Sequence, residues 1–309
     1  MRILVTGATG HVGRAVTEAL LQAGHVVTAL VRSTDRARTL KQWPGLYLLY
    51  GDLRQPETYS EAAASHEAVV HMGFEYSANG DELAQVDRLA VATLVEAAHR
   101  SPTCRGLVYT SNAFLLADMG TDATVDEQTD PAQAKHPGAW RLAHEGIILD
   151  ASTETLATAV VRLGAVYGGK GGSLGDLFSE ATRARTSTFV APGTQRWSLI
   201  YRGDLAALYR AIVETRARGV FHGVDGSPMS MREIAETVSN VVGNCRTTAI
   251  SVEAARACLP YFSSVLCRDL AMTTARALAL GWQPRHRSFA HGAADAYTEW
   301  LSGALPSKP

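Results

Sequence analysis

The chain has 309 residues, and its 29 lysines and arginines nearly balance its 30 aspartates and glutamates, for a net charge of −1. This length suits one large α/β domain, or a large domain with a small one. The near-neutral balance, without a basic stripe or an acidic tail, argues against nucleic acid as a partner and favours a small-molecule substrate.

The sequence carries no targeting or metal-binding signal. Its four cysteines lack metal-like spacing, its first residues already have the pattern of a strand, and no apolar run is long enough to cross a bilayer. We therefore expect a cytoplasmic protein with free thiols, no bound metal and no contact with a membrane.

The strongest local signal is the segment 6–13, in which three glycines spaced three apart follow the apolar run Ile3-Leu4-Val5. The run predicts a buried strand, the glycines a turn, and the pattern from Arg14 a helix. A second strand-like run at 26–31 completes a βαβ unit. Glycine gives such a turn a tight bend and lets a phosphate approach the backbone, and the helix N-terminus attracts the anion. The pattern predicts a bound dinucleotide.

The end of the second strand distinguishes between two dinucleotides. An acidic residue at this point binds the adenosine ribose, whereas a basic residue accommodates a 2′-phosphate. Here the strand is followed by Arg32, and the first acidic residue is Asp35. The sequence therefore favours NADP(H) over NAD(H); the alternative is that Arg32 points into water.

Further strand patterns at 46–50, 68–72, 106–110 and 158–163 deliver polar and glycine residues to one edge of the predicted sheet. A set of motifs recurs along this part of the chain and beyond it, at residues 6–13, 51–53, 70–73, 109–111, 162–168, 201–206 and 280–284. In their order these motifs resemble those of the extended short-chain dehydrogenase/reductase superfamily, of the NAD-dependent epimerase/dehydratase type.

The resemblance implies an α/β fold, with a Rossmann-type doubly wound parallel sheet and a smaller C-terminal substrate domain. Residues 1–167 and 197–226 would form the dinucleotide-binding domain, and residues 168–196 and 227–309 the substrate-binding domain. The glycine turn would hold the pyrophosphate, Arg32 the 2′-phosphate, and later strand ends the adenine, ribose and nicotinamide. The implied cofactor-binding residues are Gly7, Thr9, Gly10, His11, Val12, Gly13, Arg32, Asp52, Leu53, Met72, Gly73 and His144.

Members of this family normally carry a catalytic tyrosine and, four residues later, a lysine on the helix after strand five. The ammonium lowers the pKa of the phenol and holds the cofactor ribose. In this chain Trp140 occupies the tyrosine position and His144 the lysine position, and no tyrosine has a lysine four residues on. An indole N–H transfers no proton, so we expect Trp140 to stack on a flat substrate or to fill the nicotinamide pocket. His144 is either a proton-transfer group or a contact of the ribose.

Other candidates lie around the expected pocket. Ser111 and Asn112 either orient a carbonyl oxygen or bond only to local backbone. Tyr76 is the nearest phenol to the missing one. We expect Arg141 and Glu145 to be surface or capping charges.

These replacements leave two classes of function open. In the first, the protein is an NADPH-dependent reductase of a small carbonyl, enone or quinone, with a non-standard proton donor or none. In the second, it is a non-redox isomerase or cyclase on the same fold, or a dinucleotide-sensing regulatory protein. Family members commonly dimerise through the helices after strands four and five, and the apolar faces within 83–98 and 142–149 would permit a homodimer.

Overall fold

The computed structural model describes residues 1–38, 40, 43–75, 79–119, 124–134, 138–258 and 266–303. In these ranges the strands are β1 Arg2–Thr6, β2 Val26–Val31, β3 Leu46–Tyr50, β4 Ala68–His71, β5 Gly106–Asn112, β6 Thr124–Val125, β7 Ala157–Leu163, β8 Ala165–Tyr167, β9 Thr186–Val190, β10 Arg196–Trp197, β11 Leu199–Tyr201, β12 Gly219–Gly223, β13 Met229–Ser230, β14 Arg246–Ile250 and β15 Ala271–Met272. The α-helices are α1 His11–Gln22, α2 Thr34–Ala37, α3 Ser60–Ser65, α4 Gly80–Arg100, α5 Trp140–Asp150, α6 Gly172–Ala184, α7 Arg202–Thr215, α8 Met231–Val242, α9 Val252–Cys258, α10 Ala275–Ala279 and α11 Phe289–Ser302.

A seven-stranded sheet forms the centre of the fold, in the order β12-β7-β5-β4-β1-β2-β3. Every neighbouring pair in it is parallel. The chain runs outward from β1 to β3 on one side and from β4 to β12 on the other, so the strand order reverses between β1 and β4. Open α/β sheets bind ligands at such a switch point, outside the carboxyl ends of the strands. The predicted Rossmann-type α/β fold is confirmed.

Helices cover both faces of this sheet because the side chains of a buried strand alternate between its two faces. In β1, Ile3 and Val5 belong to a core cluster with residues of α1 and α7, including Val16 and Leu208. Leu4 belongs to the cluster on the opposite face, with residues of α4 and α5. The sheet is therefore the middle of three layers, and α4 and α5 share one outer layer.

A second core lies beside the main sheet. It joins aromatic side chains of α6 and α11 with Trp197 and with apolar residues of α8. This core also takes in Ala113, Phe114, Leu116 and Ala117, which the sequence-based division assigned to the dinucleotide-binding domain. The domain boundaries stay a prediction.

Several features of the structure relate to the expected homodimer, membrane and metal contacts. Leu89 on α4 and Ile147 on α5 are exposed apolar side chains, and the homodimer through these helices stays a prediction. No helix within the described ranges combines the length and the apolar character needed to span a membrane. The described part of the chain also brings together no group of three histidine, cysteine or acidic side chains suited to a metal ion.

One buried carboxyl group has an unusual environment. Asp225 follows β12, and its Oδ1 accepts a hydrogen bond of 2.8 Å from the Ser227 N–H. Its Oδ2 is buried without a hydrogen-bond partner in the described structure. Burial raises the pKa of Asp225 to about 8; the Ser227 hydrogen bond opposes this rise and the charge of Asp204 adds to it.

We predict that this carboxyl group makes stability fall as pH rises. Between its unfolded pKa near 4 and its folded pKa of about 8, the folded state binds the proton that the unfolded state releases, so the free energy of unfolding decreases with pH. Asp225→Asn keeps the acceptor for Ser227 and removes the titration. Its melting temperature should exceed that of the wild type by a few degrees at pH 8 and differ less at pH 5. If the difference in melting temperature between the two proteins were the same at every pH in this range, the assignment would be contradicted.

Candidate active site

A cleft of about 1000 Å³ opens at the carboxyl edge of the sheet. It begins at the glycine turn after β1, passes the ends of β2 and β4, and reaches the ends of β5 and β7 and the first turn of α5. Eleven of the twelve predicted cofactor-binding residues line it: Gly7, Thr9, Gly10, His11, Val12, Gly13, Arg32, Asp52, Leu53, Met72 and Gly73. The exception is His144. The contacts of these residues with a cofactor stay a prediction.

The glycine turn is held so tightly that two of its glycines admit no side chain. Gly7 has φ +73°, and a Cβ on it would lie 2.6 Å from the Met72 carbonyl oxygen. A Cβ on Gly13 would lie 2.0 Å from the Gly7 carbonyl oxygen. These approaches fix α1 against the ends of β1 and β4.

The beginning of α1 fits an anion. Its N-cap residue, Gly10, supplies no side-chain cap, and its first turn contains no acidic residue, so no side chain of the helix competes for its first N–H groups. Such a helix end attracts negative charge. Burial, followed by the charge of Arg202, lowers the pKa of His11 in this turn to about 4, and the His11 Nε2 atom has no hydrogen-bond partner in the described structure. The cradle therefore fits a dinucleotide pyrophosphate.

Two arginines meet one carboxylate beside the end of β2. Arg32 Nη1 lies 2.6 Å from Glu75 Oε2, and Arg54 Nη1 lies 3.0 Å from the same oxygen. Arg54 also pairs with Glu82 at 2.7 Å. Arg32 thus does not simply point into water. Sequence reasoning missed Arg54 and Glu75 because the two residues meet only when the loops after β3 and β4 come together.

The helix that would carry the catalytic pair places its two replacements differently. Trp140 lines the cleft. His144 lies behind it, buried, with the two ring centroids 5.1 Å apart. His144 Nδ1 is 2.7 Å from Asp87 Oδ2, which also accepts a hydrogen bond of 2.6 Å from the Tyr109 hydroxyl. The structure therefore gives His144 a buried carboxylate as its partner and does not bring it to the cleft.

Asp87 is ionised in this cluster. Burial alone would raise its pKa, but the hydrogen bond from His144 and the charge of Arg141 outweigh burial and hold the pKa of Asp87 below its usual value. An ionised carboxylate only accepts hydrogen bonds, so the hydrogen of His144 sits on Nδ1. Burial raises the pKa of Tyr109 well above its usual value, which keeps this phenol protonated.

The remaining candidates separate into cleft and scaffold. Ser111 lines the cleft, and its buried hydroxyl has no hydrogen-bond partner in the described structure. Asn112 also lines the cleft, but its Oδ1 accepts a hydrogen bond of 2.9 Å from the Phe114 N–H and so caps a short 3₁₀ turn. Tyr76 lies outside the described residues. Among the described residues that line the cleft there is neither a tyrosine nor a lysine.

Two charged residues were predicted wrongly. Arg141 and Glu145, expected to be surface or capping charges, are both largely buried. Glu145 Oε2 pairs with Arg162 of β7 at 2.7 Å, and the Arg162 Nε–H also faces the same carboxylate at 3.1 Å. Arg141 lines the cleft with its guanidinium 4.4 Å from the Phe74 ring centre. The prediction failed because β7 and the loop after β4 supply these partners, and neither is near α5 in sequence.

The arrangement matches known proteins along most of the chain. The family model described as "NAD dependent epimerase/dehydratase family" matches residues 3–222. The chain belongs to this family.

Relatives of this family member include an uncharacterised protein of Saccharomyces cerevisiae. The two are 27% identical over a region that covers 92% of this chain and 95% of the length of the yeast protein. A 3-diazoavenalumate denitrifying reductase of a Streptomyces species is 31% identical over 94% of this chain and 99% of its own. Among solved structures, a human epimerase family protein determined with NADPH superposes with a TM-score of 0.81 at 21% identity, covering 96% of this chain and 99% of the other. The predicted family is confirmed.

The buried Glu145–Arg162 pair generates a stability prediction. Breaking such a pair leaves a buried charge without its partner and typically costs about 3–5 kcal/mol. We expect Glu145→Gln to lower the free energy of unfolding by about this amount in urea titrations. The matched control is Glu96→Gln, since Glu96 forms only an exposed pair at 3.9 Å with Arg100; it should change stability by less than about 0.5 kcal/mol. Equal effects of the two substitutions would show that the buried pair does not anchor α5.

Proposed function

We propose that this family member is an NADP(H)-dependent reductase that acts on a small carbonyl, enone or quinone without the usual phenol as proton donor. One observation carries the proposal: a single cleft connects the glycine turn and the uncapped end of α1 to Ser111 and Trp140. The reductase name of the Streptomyces relative and the NADPH of the human structure support it.

The cofactor would be held by residues along this cleft. The backbone of the glycine turn would hold the pyrophosphate, Arg32 the 2′-phosphate, and Met72 and Gly73 would line the approach to the nicotinamide. When bound, the nicotinamide supplies a hydride to an electrophilic carbon.

The protein groups at the reactive end determine which acceptors suit it. Trp140 provides a flat wall and no transferable proton. His144 is tied to Asp87 and does not line the cleft. The Ser111 hydroxyl, which has no partner in the described structure, is the group we assign to hydrogen-bond the substrate oxygen. Acceptors that are already strongly polarised, such as quinones and enones, need no more than this, and water can complete the protonation.

An acceptor panel tests the redox proposal. We expect purified protein to consume NADPH with at least one quinone, enone or aldehyde. The loss of nicotinamide absorbance measures this consumption. Ser111→Ala should lower kcat about a hundredfold because it removes a hydrogen-bond donor to the substrate oxygen. Ser179→Ala, an exposed serine of α6 outside the cleft, is the control and should leave kcat unchanged. NADPH binding without consumption on the whole panel would favour the non-redox isomerase, cyclase or sensor instead.

A pair of substitutions with opposite expected effects tests the cofactor. Arg32→Gln should weaken NADPH binding about tenfold and leave NADH binding nearly unchanged, because it removes a charged partner of the 2′-phosphate. Glu75→Gln should tighten NADPH binding a few-fold, since the Glu75 carboxylate competes for the same guanidinium. Fluorescence titration of each nucleotide measures both effects. Equal losses of NADPH and NADH affinity in Arg32→Gln would remove the basis for the NADP(H) preference.

A further inference from the structure

Arg141 has surroundings that neither the family pattern nor the proposed reaction explains. It is the second residue of α5, its side chain is 12% exposed, and it lines the cleft next to Trp140. Its guanidinium carbon lies 4.4 Å from the ring centre of Phe74 and 5.4 Å from that of Trp140. Contact with two aromatic rings restricts where the guanidinium can turn and leaves the N–H groups at its edge for polar partners.

These N–H groups are poorly satisfied. The Arg141 Nε atom is buried without a hydrogen-bond partner in the described structure. The ion-pair partner of the guanidinium is Asp87, whose Oδ1 lies 3.7 Å from Arg141 Nη2, beyond hydrogen-bond distance. The hydrogen bonds of Asp87 come instead from Tyr109 and His144, both to Oδ2. A largely buried guanidinium normally has close hydrogen-bonded partners, so this one is short of an acceptor.

The acceptor that best fits this edge is a carboxylate. Adjacent N–H groups of a guanidinium bind the two oxygens of a carboxylate in a bidentate pair, which is stronger than a contact with a neutral oxygen. Two flat aromatic rings, those of Phe74 and Trp140, lie beside the guanidinium, and both residues line the cleft. Flat rings beside the Arg141 guanidinium suit a planar molecule that carries a negative charge.

We propose that Arg141 is a substrate-binding residue that recognises the carboxylate of a planar, aromatic or conjugated acid. This inference rests on the proposed reductase function, because only that function makes the bound acid a substrate. The anion site itself does not depend on hydride transfer. Arg141 then makes the enzyme favour acceptors that bear a carboxylate next to a conjugated system over uncharged acceptors of the same shape.

The test compares two probes of the same shape, benzoate and the uncharged benzamide, by calorimetric titration with and without saturating NADP⁺. We expect the wild-type protein to bind benzoate about 10- to 100-fold more tightly than benzamide, as the bidentate charged pair predicts. Arg141→Gln should abolish this difference. Arg141→Lys should retain part of it, because lysine keeps the charge and loses the bidentate geometry. The control Arg88→Gln removes an exposed arginine of α4 outside the cleft and should change nothing.

Several outcomes would overturn the assignment. Equal affinity of the wild-type protein for benzoate and benzamide would contradict the proposal. This comparison needs no variant, so the proposal stays testable even if Arg141→Gln does not fold. Preference for benzoate that survives in Arg141→Gln, or that disappears equally in Arg88→Gln, also contradicts it. Competition between NADP⁺ and benzoate would make Arg141 a cofactor contact. Benzoate binding that depends on Arg141 in a protein that binds no dinucleotide would instead refute the proposed reductase function and leave the anion site standing.

Discussion

The close approach of α1 to the end of β1 is the constraint on which the site depends. A Cβ at Gly13 would lie 2.0 Å from the Gly7 carbonyl oxygen, and a Cβ at Gly7 would meet the backbone at the end of β4. The N-terminus of α1 is thereby placed at the point where the strand order of the sheet reverses. A cleft forms at this point because the loops after β1 and β4 lead to opposite faces of the sheet and leave a space between them. The N-terminus of α1, with the positive end of the helix dipole, then faces that cleft.

A second set of contacts positions α5 at the other end of the same cleft. Glu145 pairs with Arg162 of β7 inside the protein, and His144 is hydrogen-bonded to Asp87 of α4. These two contacts hold α5 against both the sheet and its neighbouring helix. The first turn of α5, with Trp140 and Arg141, is therefore presented to the cleft, while His144 and Glu145 of the turn that follows are buried. The position that would hold a lysine in the usual family pattern thus takes part in the packing of the helix layer.

The sequence allowed most of the fold to be predicted because its signals are local. Strand β3 was predicted with the bounds that the structure has, residues 46–50, and the glycine turn was recognised from its spacing together with the strand and helix patterns around it. The cleft residues followed because parallel strands deliver their carboxyl ends to one edge. What failed depends on contacts between distant segments. No local pattern around Glu145 indicates its contact with Arg162, and none around Arg141 indicates its contact with Phe74, so both residues were predicted to be surface or capping charges.

The same distinction between local signals and distant contacts applies to the helix that would carry the family's catalytic pair. A phenol and an ammonium four residues apart bring one proton donor and one positive charge to the cleft. In this chain the histidine at the second position is bound to Asp87, and Arg141, one residue after the indole, brings a positive charge to the cleft. A guanidinium does not give up its proton, so the charge that remains can orient a substrate but cannot protonate it. Under the proposed function, the replacement exchanges an acid for a binding group, and the proposed reaction suits acceptors that need orientation more than they need a proton.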